Sequence, residues 1–430
     1  MSPYGLALIS YTIFLFAWLF PPGLYANYIH EPDQIFLDPL SLAFVSACIL
    51  AFVIGLRLST LFSSCFAEAP KVIPPSSPQI YLLAPLIISS AFCLVYLFKV
   101  GSHLDIVGLL ASSQGNSIKL VNQTGQLQEG FWGRSPSVLC ATIWWAQYRA
   151  GQLQLKGLGH LLFISIFLFA LMVDVATCTA TVNRSNLMPL ISGIALIYAY
   201  RKTYGRNVNA FKILVQGAFA IAIFLGLFLL LSFFRGNISS STLVTQILGY
   251  GITSYNRLAL MLTGHLQFVT GGKGAYLFPV LVDSHSLNVI FPISDRLGWP
   301  SADTLWRLEF GPIGAAGLNR GFNWVSLFGY VYTDMGWFTP LYFSGLGVLC
   351  GRLWLSFRKG KSFGLVFYPW AAFSILFWCG YNAGFSSRLI AVIEIAVALA
   401  VWDWFSLRRR VAVHSDGYPR QAASAHISLV

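Results

Sequence analysis

The chain has 430 residues, 56% hydrophobic and only 10% charged, with a formal net charge of +12 and a mean hydropathy of +0.68. Soluble domains carry about 25% charged residues, so this composition excludes an ordinary soluble domain and points to an all-α polytopic integral membrane protein. In that class a basic excess marks cytoplasmic loops, so the charge does not argue for nucleic-acid binding.

A spanning helix needs ~20 mostly apolar residues. Ten runs qualify, at about 3–22, 37–57, 79–98, 133–150, 157–180, 185–201, 212–233, 337–356, 363–379 and 388–406. The first resembles the apolar part of a signal sequence. It is too long, lacks a basic start and ends without a small-residue cleavage site, so it reads as a retained span. The fourth, "PSVLCATIWWAQYRAG", is the weakest and also suits an interfacial helix. The basic clusters "YRKTYGRNVNAFK" (200–212), "FRKGK" (357–361) and "LRRR" (407–410) sit at three span ends. Placing them in the cytoplasm gives an alternating path of about ten spans with both termini inside. The expected divisions are a membrane bundle at 1–233, a large periplasmic loop with short helices at 234–336, C-terminal spans at 337–406 and a cytoplasmic tail at 407–430, disordered after Arg410. Within the loop, "GYGITSYNRLALMLTG" (249–264) is expected as a helix lying against the membrane.

The seven cysteines fall mostly in apolar runs, with no C-x-x-C and no Cys/His cluster, so neither a disulfide framework nor a zinc site is expected. No metal and no cofactor is assigned.

The outer face on this path carries arginine at 134, 184, 235, 257, 296, 307, 320 and 388, against only Lys99, Lys119 and Lys273. Arg184 opens the sixth span in "TVNRSNLMPL", Arg388 opens the tenth in "NAGFSSRLIAV", and Arg235 closes the seventh in "LLLSFFRGN". A guanidinium at a helix N-terminus adds charge to the positive pole of the helix, which is favourable only where an anion visits. Arginine is also the side chain best suited to bidentate phosphate contact. Arg184, Arg235 and Arg388 are therefore the candidate ligands of a pyrophosphate at the lipid–water boundary, with Arg257 and Arg320 as second choices. A single arginine at a span end is more often a snorkelling anchor, although anchors have no need to prefer arginine over lysine across the group.

Proton transfer needs a titratable group on the same side, and His285 or Glu309 is the candidate base. Asp174 and Glu394 lie within spans and are expected to face the bundle interior in hydrogen bonds between helices. The acids of "HEPDQ" (30–34), Glu31 and Asp33, are similar to acidic pairs of membrane glycosyltransferases that use lipid-phosphate sugars.

The segment "GFNWVSLFGYVYTDMGWFTPLYFSGLGVLCGRLW" (321–354) runs through Asn323 and an apolar stretch to Tyr332–Thr333–Asp334–Met335–Gly336, then into a span ending in Gly351–Arg352. It resembles the closing signature of Wzy-type oligosaccharide repeat-unit (O-antigen) polymerases. The arginine of "NRSNLMPL", the "FRG" after the next span and the long loop between them resemble that family too. The resemblance implies a metal-independent glycan polymerase of the bacterial cytoplasmic (inner) membrane, with its site facing the periplasm. Its substrates would be oligosaccharides carried on undecaprenyl pyrophosphate, and its partners membrane lipids, a chain-length regulator and a flippase. Asp334 would either orient Tyr332, Arg320 or the loop, or cap the following span. Asn323, Tyr332, Gly336 and the glycines at 311, 314, 317 and 321 would shape the loop into a re-entrant turn. An O-antigen ligase would share the donor, and a lipid-phosphate-sugar glycosyltransferase would instead depend on Glu31 and Asp33. A transporter or flippase would carry internal repeats, and none is visible.

Overall fold

The structure is a computed structural model that describes residues 1–29, 31, 37–61, 78–103, 131–153, 155–181, 184–203, 226, 245, 248–268, 273–283, 292–300 and 302–415. Among the described residues the regular structure is entirely helical. The helices are α1 (Pro3–Trp18), α2 (Pro22–Ile29), α3 (Pro39–Leu61), α4 (Pro78–His103), α5 (Ser135–Leu153), α6 (Gly157–Ala180), α7 (Arg184–Thr203), α8 (Ser254–Leu262), α9 (Pro279–Asp283), α10 (Ile293–Leu297), α11 (Ala302–Ala315), α12 (Ser326–Met335), α13 (Thr339–Arg358), α14 (Ser362–Leu376) and α15 (Arg388–Ser415).

Four of these are long and apolar enough to cross a membrane: α3, α4 as far as Gly101, α6, and α15 as far as Ser406. The pair α1 and α2, bent by 93°, makes a fifth if it is one span. That bend corrects the expected straight span over 3–22. Two consecutive prolines, Pro21 and Pro22, cause it. A residue before proline is pushed out of the α region, while Pro22 suits the first position of the new helix. The expected span at 212–233 lies outside the described residues.

The helix at the weakest apolar run is enclosed by other helices. α5 packs against α4, α6, α7, α14 and α15. Its Trp144, Trp145 and Thr142 are fully or almost fully buried. A helix ringed by other helices meets no lipid, so it has no need of a lipid-like surface.

Ion pairs hold α5 to α15 at both ends. Arg134, just before α5, pairs with Glu394, while Arg149 Nη2 meets Asp403 Oδ2 at 2.5 Å. Tyr81 of α4 and Ser362 of α14 also donate to Asp403. Because 134 pairs with 394 and 149 with 403, the two helices run parallel. Glu394 corrects the expectation of an interior acid. It is 45% exposed, and Arg134 compensates its charge. Asp174 does face the interior, but neither carboxylate oxygen makes the expected hydrogen bond.

The closest helix contact is between α3 and α13. Side chains added at Gly55, Gly347 and Gly351 would collide with Ser344, Phe52 and Ser59 respectively. Within the bilayer apolar burial gives no net drive between helices, so small residues that let backbones meet supply the adhesion. The spacing Gly347–x3–Gly351 places both on one face.

A second, smaller core stands apart from that of the bundle. It gathers Leu260, Met261, Phe268, Tyr276, Ile313 and Tyr330, among others, from the region between Leu260 and Tyr330. Here α8 corrects another expectation. All nine of its residues are buried, so it is a core helix against α1, α3 and α12 and not a surface helix. At the C-terminus α15 continues as helix to Ser415, past the point where the tail was expected to begin.

Replacing Gly347 with Leu is expected to cost at least ~1–3 kcal/mol through overpacking, read as a lower melting temperature in detergent. Gly345→Leu, at a position with open space around it, is expected to stay within about 0.5 kcal/mol of the parent protein.

Candidate functional site

Buried polar residues form two stations, one in the bundle core and one in the second core. The first is built where the bent α1–α2 segment meets α8. Glu31 follows α2 and is buried. Its Oε1 accepts from Arg257 Nη2 at 2.6 Å and from the Asn319 backbone N–H at 2.9 Å. Its Oε2 accepts from the Tyr25 hydroxyl. Arg257 Nη2 also donates to the Asn319 carbonyl at 3.0 Å, and Asn319 Nδ2 donates to the Ile29 carbonyl at 2.9 Å. Arg257 has no exposed surface, and among the described residues its Nε and Nη1 have no hydrogen-bond partner. A turn of π-helix, Gly249–Thr253, precedes α8. Such turns shift helix register and recur at functional sites. Gly249 is required there because a side chain would enter the Phe322 ring.

The second station surrounds Glu309 of α11. Its Oε2 accepts from Asn323 Nδ2 at 2.9 Å and from the Tyr330 hydroxyl at 3.3 Å. Burial raises the Glu309 carboxyl from 4.5 to about 8, against the opposing effect of those two hydrogen bonds. Burial, and then the neighbouring Glu309, keep the Tyr330 phenol protonated. Arg257 lies near enough for its charge to act on Tyr330, which joins the two stations.

The loop over these stations is held by a peptide clamp. Asp334 Oδ2 accepts from the backbone N–H of Tyr276 at 2.7 Å and of Leu277 at 3.1 Å. From the other side, Asn382 Nδ2 donates to the carbonyls of Tyr276 at 3.2 Å and Leu277 at 2.9 Å. Burial lifts Asp334 above the usual carboxylate range, and the backbone donors oppose that rise. The clamped Tyr276 packs its ring 5.2 Å from that of Tyr330.

The glycines of the expected turn divide their work. Gly317 ends α11 at φ +73, with Leu318 N–H bonded back to the Ile313 carbonyl. Gly314 leaves room for the exposed Arg320 side chain, which lies across it. Gly336, at φ +56, ends α12. Tyr332 packs its ring against Phe44 and Trp337.

Of the residues singled out from sequence, Arg257, Glu309, Asn323 and Arg320 therefore belong to this region. Arg184 and Arg388 lie elsewhere, at the starts of α7 and α15. Pro189 of α7 and Arg388 line one small cavity with Cys140, Trp144 and Trp370. Arg235 and His285, with Asp33, lie outside the described residues. Sequence reasoning passed over Tyr25, Asn319, Tyr330 and Asn382. Only Asn319 carried a signal, as a turn-forming residue between Gly317 and Gly321. Among the described residues no group of acids, histidines and cysteines is arranged to hold a metal ion.

Compared with known protein families, with curated proteins and with solved structures, the chain matches none.

Removing one partner of a buried ion pair leaves an uncompensated charge. Glu31→Gln and Arg257→Met are each expected to cost ~3–5 kcal/mol in stability. The double variant is expected to recover part of that loss, as measured by thermal unfolding of all four proteins in a double-mutant cycle.

Proposed function

We propose that the protein is a membrane glycan polymerase. It transfers an oligosaccharide from an undecaprenyl-pyrophosphate donor to the glycan of a lipid-linked acceptor on the outer side of the bacterial cytoplasmic membrane. The chain crosses that membrane about ten times, with both termini inside. The reading draws on the resemblance of 321–354 to repeat-unit polymerases. The observation that carries it furthest is the buried Glu309, held by Asn323 and Tyr330.

In the proposed reaction a hydroxyl of the acceptor glycan attacks the anomeric carbon of the donor. Glu309 takes the hydroxyl proton, the new glycosidic bond forms, and the anomeric C–O bond to the pyrophosphate breaks. The pyrophosphate leaves with the bonding electrons, and fixed guanidinium groups stabilise the charge that develops there. Arg320, exposed beside Gly314 in the region of Glu309, serves that purpose nearest the reacting bond. Arg184, Arg388 and Arg235 hold the lipid pyrophosphate further from it, and Arg257, paired with Glu31, supports by position. A carboxyl that titrates near 8 is a stronger base than an ordinary glutamate and is still partly ionised at neutral pH. Asp334 and Asn382 act at one remove, by fixing the loop that carries Tyr276 against Tyr330. Glu31 is occupied in the ion pair with Arg257, which weakens the alternative in which the Glu31–Asp33 pair is catalytic.

The test is made in a strain lacking the gene, with surface polysaccharide separated on a gel and protein levels checked in the membrane. Variants Arg184→Ala, Arg320→Ala, Arg388→Gln and Glu309→Gln are expected to be present but to leave mainly single-repeat product. Long chains from all four would overturn the proposal. A strict requirement for Asp33 with the arginines dispensable would favour the lipid-phosphate-sugar glycosyltransferase.

The pH dependence gives a second check. Polymerisation in isolated membranes is expected to rise about tenfold per pH unit below about 8 and then level off, as Glu309 loses its proton. Stability moves the opposite way. The folded carboxyl titrates above its ordinary 4.5, so the stability its neutral form contributes is full below that value and is lost as pH rises through about 8. Glu309→Gln is expected to flatten both profiles and to slow polymerisation ~10²–10⁴-fold.

A further inference from the structure

An open cavity of about 320 Å³ lies between α13, α14 and α15. Ligand pockets run from ~300 to 1,000 Å³ and are mostly apolar with a few placed polar groups, and this one fits that description. Its walls include Leu349 and Leu353 of α13, Phe367 and Ala371 of α14, and Leu389 and Ile393 of α15. Leu349 and Ile393 are both 43% exposed. On helices of this composition the exposed side faces hydrocarbon, so the groove opens to the bilayer.

One end of the groove is not apolar. It is closed by Asn382 and the turn Ala383–Phe385, just before Arg388. Trp370 lines both the groove and the small cavity that holds Arg388. Its Nε1 donates to the Gly384 carbonyl at 3.0 Å, which fixes the ring as a wall between the two. A hydrocarbon channel and a cationic side chain therefore stand on either side of one indole. Asn382 also belongs to the clamp on Tyr276 and Leu277, so the polar end of the groove is mechanically tied to the cage of Glu309.

We infer that this groove seats the isoprenoid chain of the pyrophosphate-linked substrate, with the phosphate end beside Arg388. The inference rests on the proposed function for the identity of the lipid. A phospholipid carries two chains from its phosphate, whereas an isoprenoid pyrophosphate carries one. A continuous apolar groove with Arg388 near its polar end matches a single chain with an anionic head. The apolarity of the wall explains chain binding, and Arg388 explains the preference for an anionic head.

The experiment uses the full chain in phosphatidylcholine nanodiscs and a diazirine-bearing geranylgeranyl pyrophosphate as probe. Photolabelling is expected on peptides containing Leu349, Phe367 or Ile393. Unlabelled geranylgeranyl pyrophosphate is expected to compete it away, and phosphatidic acid to compete at least tenfold less well. Ala371→Trp and Leu349→Trp, which fill the groove from two helices, are each expected to lower labelling about tenfold or more. Arg388→Gln is expected to weaken binding by about tenfold while labelling stays on the same peptides. Labelling elsewhere in the chain, labelling unmoved by both tryptophan variants, or equal competition by phosphatidic acid would overturn the inference. Labelling needs no turnover. A seated probe with normal polymerisation in the Glu309 and arginine variants would defeat the proposed reaction alone. An empty groove with those variants inactive would defeat only the chain site.

Discussion

The buried pair of Glu31 and Arg257 is the constraint around which one end of the molecule is arranged. Two opposite charges removed from water are tolerated only if their remaining hydrogen-bonding groups find partners. Glu31 meets that demand through Tyr25, Arg257 and the Asn319 backbone, which come from three distant parts of the chain. The pair thereby ties the bend after α1, the helix α8 and the turn after α11 into one unit. Arg257 is less fully served, with Nε and Nη1 unpartnered among the described residues. In a buried site that is a costly condition.

The same economy of polar groups runs through the bundle. With no water in the hydrocarbon to satisfy them, polar side chains are collected between helices, where they act as ties. Asp403 is the clearest case, gripped by Arg149, Tyr81 and Ser362 from three other helices. Asp334 and Asn382 apply the principle to backbone, one accepting from the N–H groups of residues 276 and 277 and the other donating to their carbonyls. That two-sided grip turns a loop into a fixed platform for the Tyr276 ring, and so for Tyr330 and Glu309. The π-turn before α8 and the glycines at 249 and 314 serve the same platform by letting Phe322 and Arg320 approach closely.

The helical class and most helix positions were legible in the sequence because lipid is a uniform solvent. A long apolar run has few alternatives to a helix, and proline and glycine punctuate it in ways that depend only on the local chain. The weak run at 133–150 was harder to read because its exposure is set by neighbours. α5 lies inside a ring of helices, and nothing in its own residues announces that. Glu394 was misjudged for the same reason, since its compensating charge, Arg134, is 260 residues away in the chain.

Sequence by itself determined the membrane class, the helical secondary structure and the chemical types available at one end of the bundle, including Glu309, Asn323 and Arg257. These follow from composition and local pattern, which need no knowledge of the fold. Tertiary structure alone decided that Arg257 is matched by Glu31, that Glu309 is enclosed by Asn323 and Tyr330, and that Asn382 joins an apolar groove to that cage. Such partnerships depend on contacts between segments far apart in the chain, and the stability of a buried charge is set by those contacts and not by its sequence neighbours.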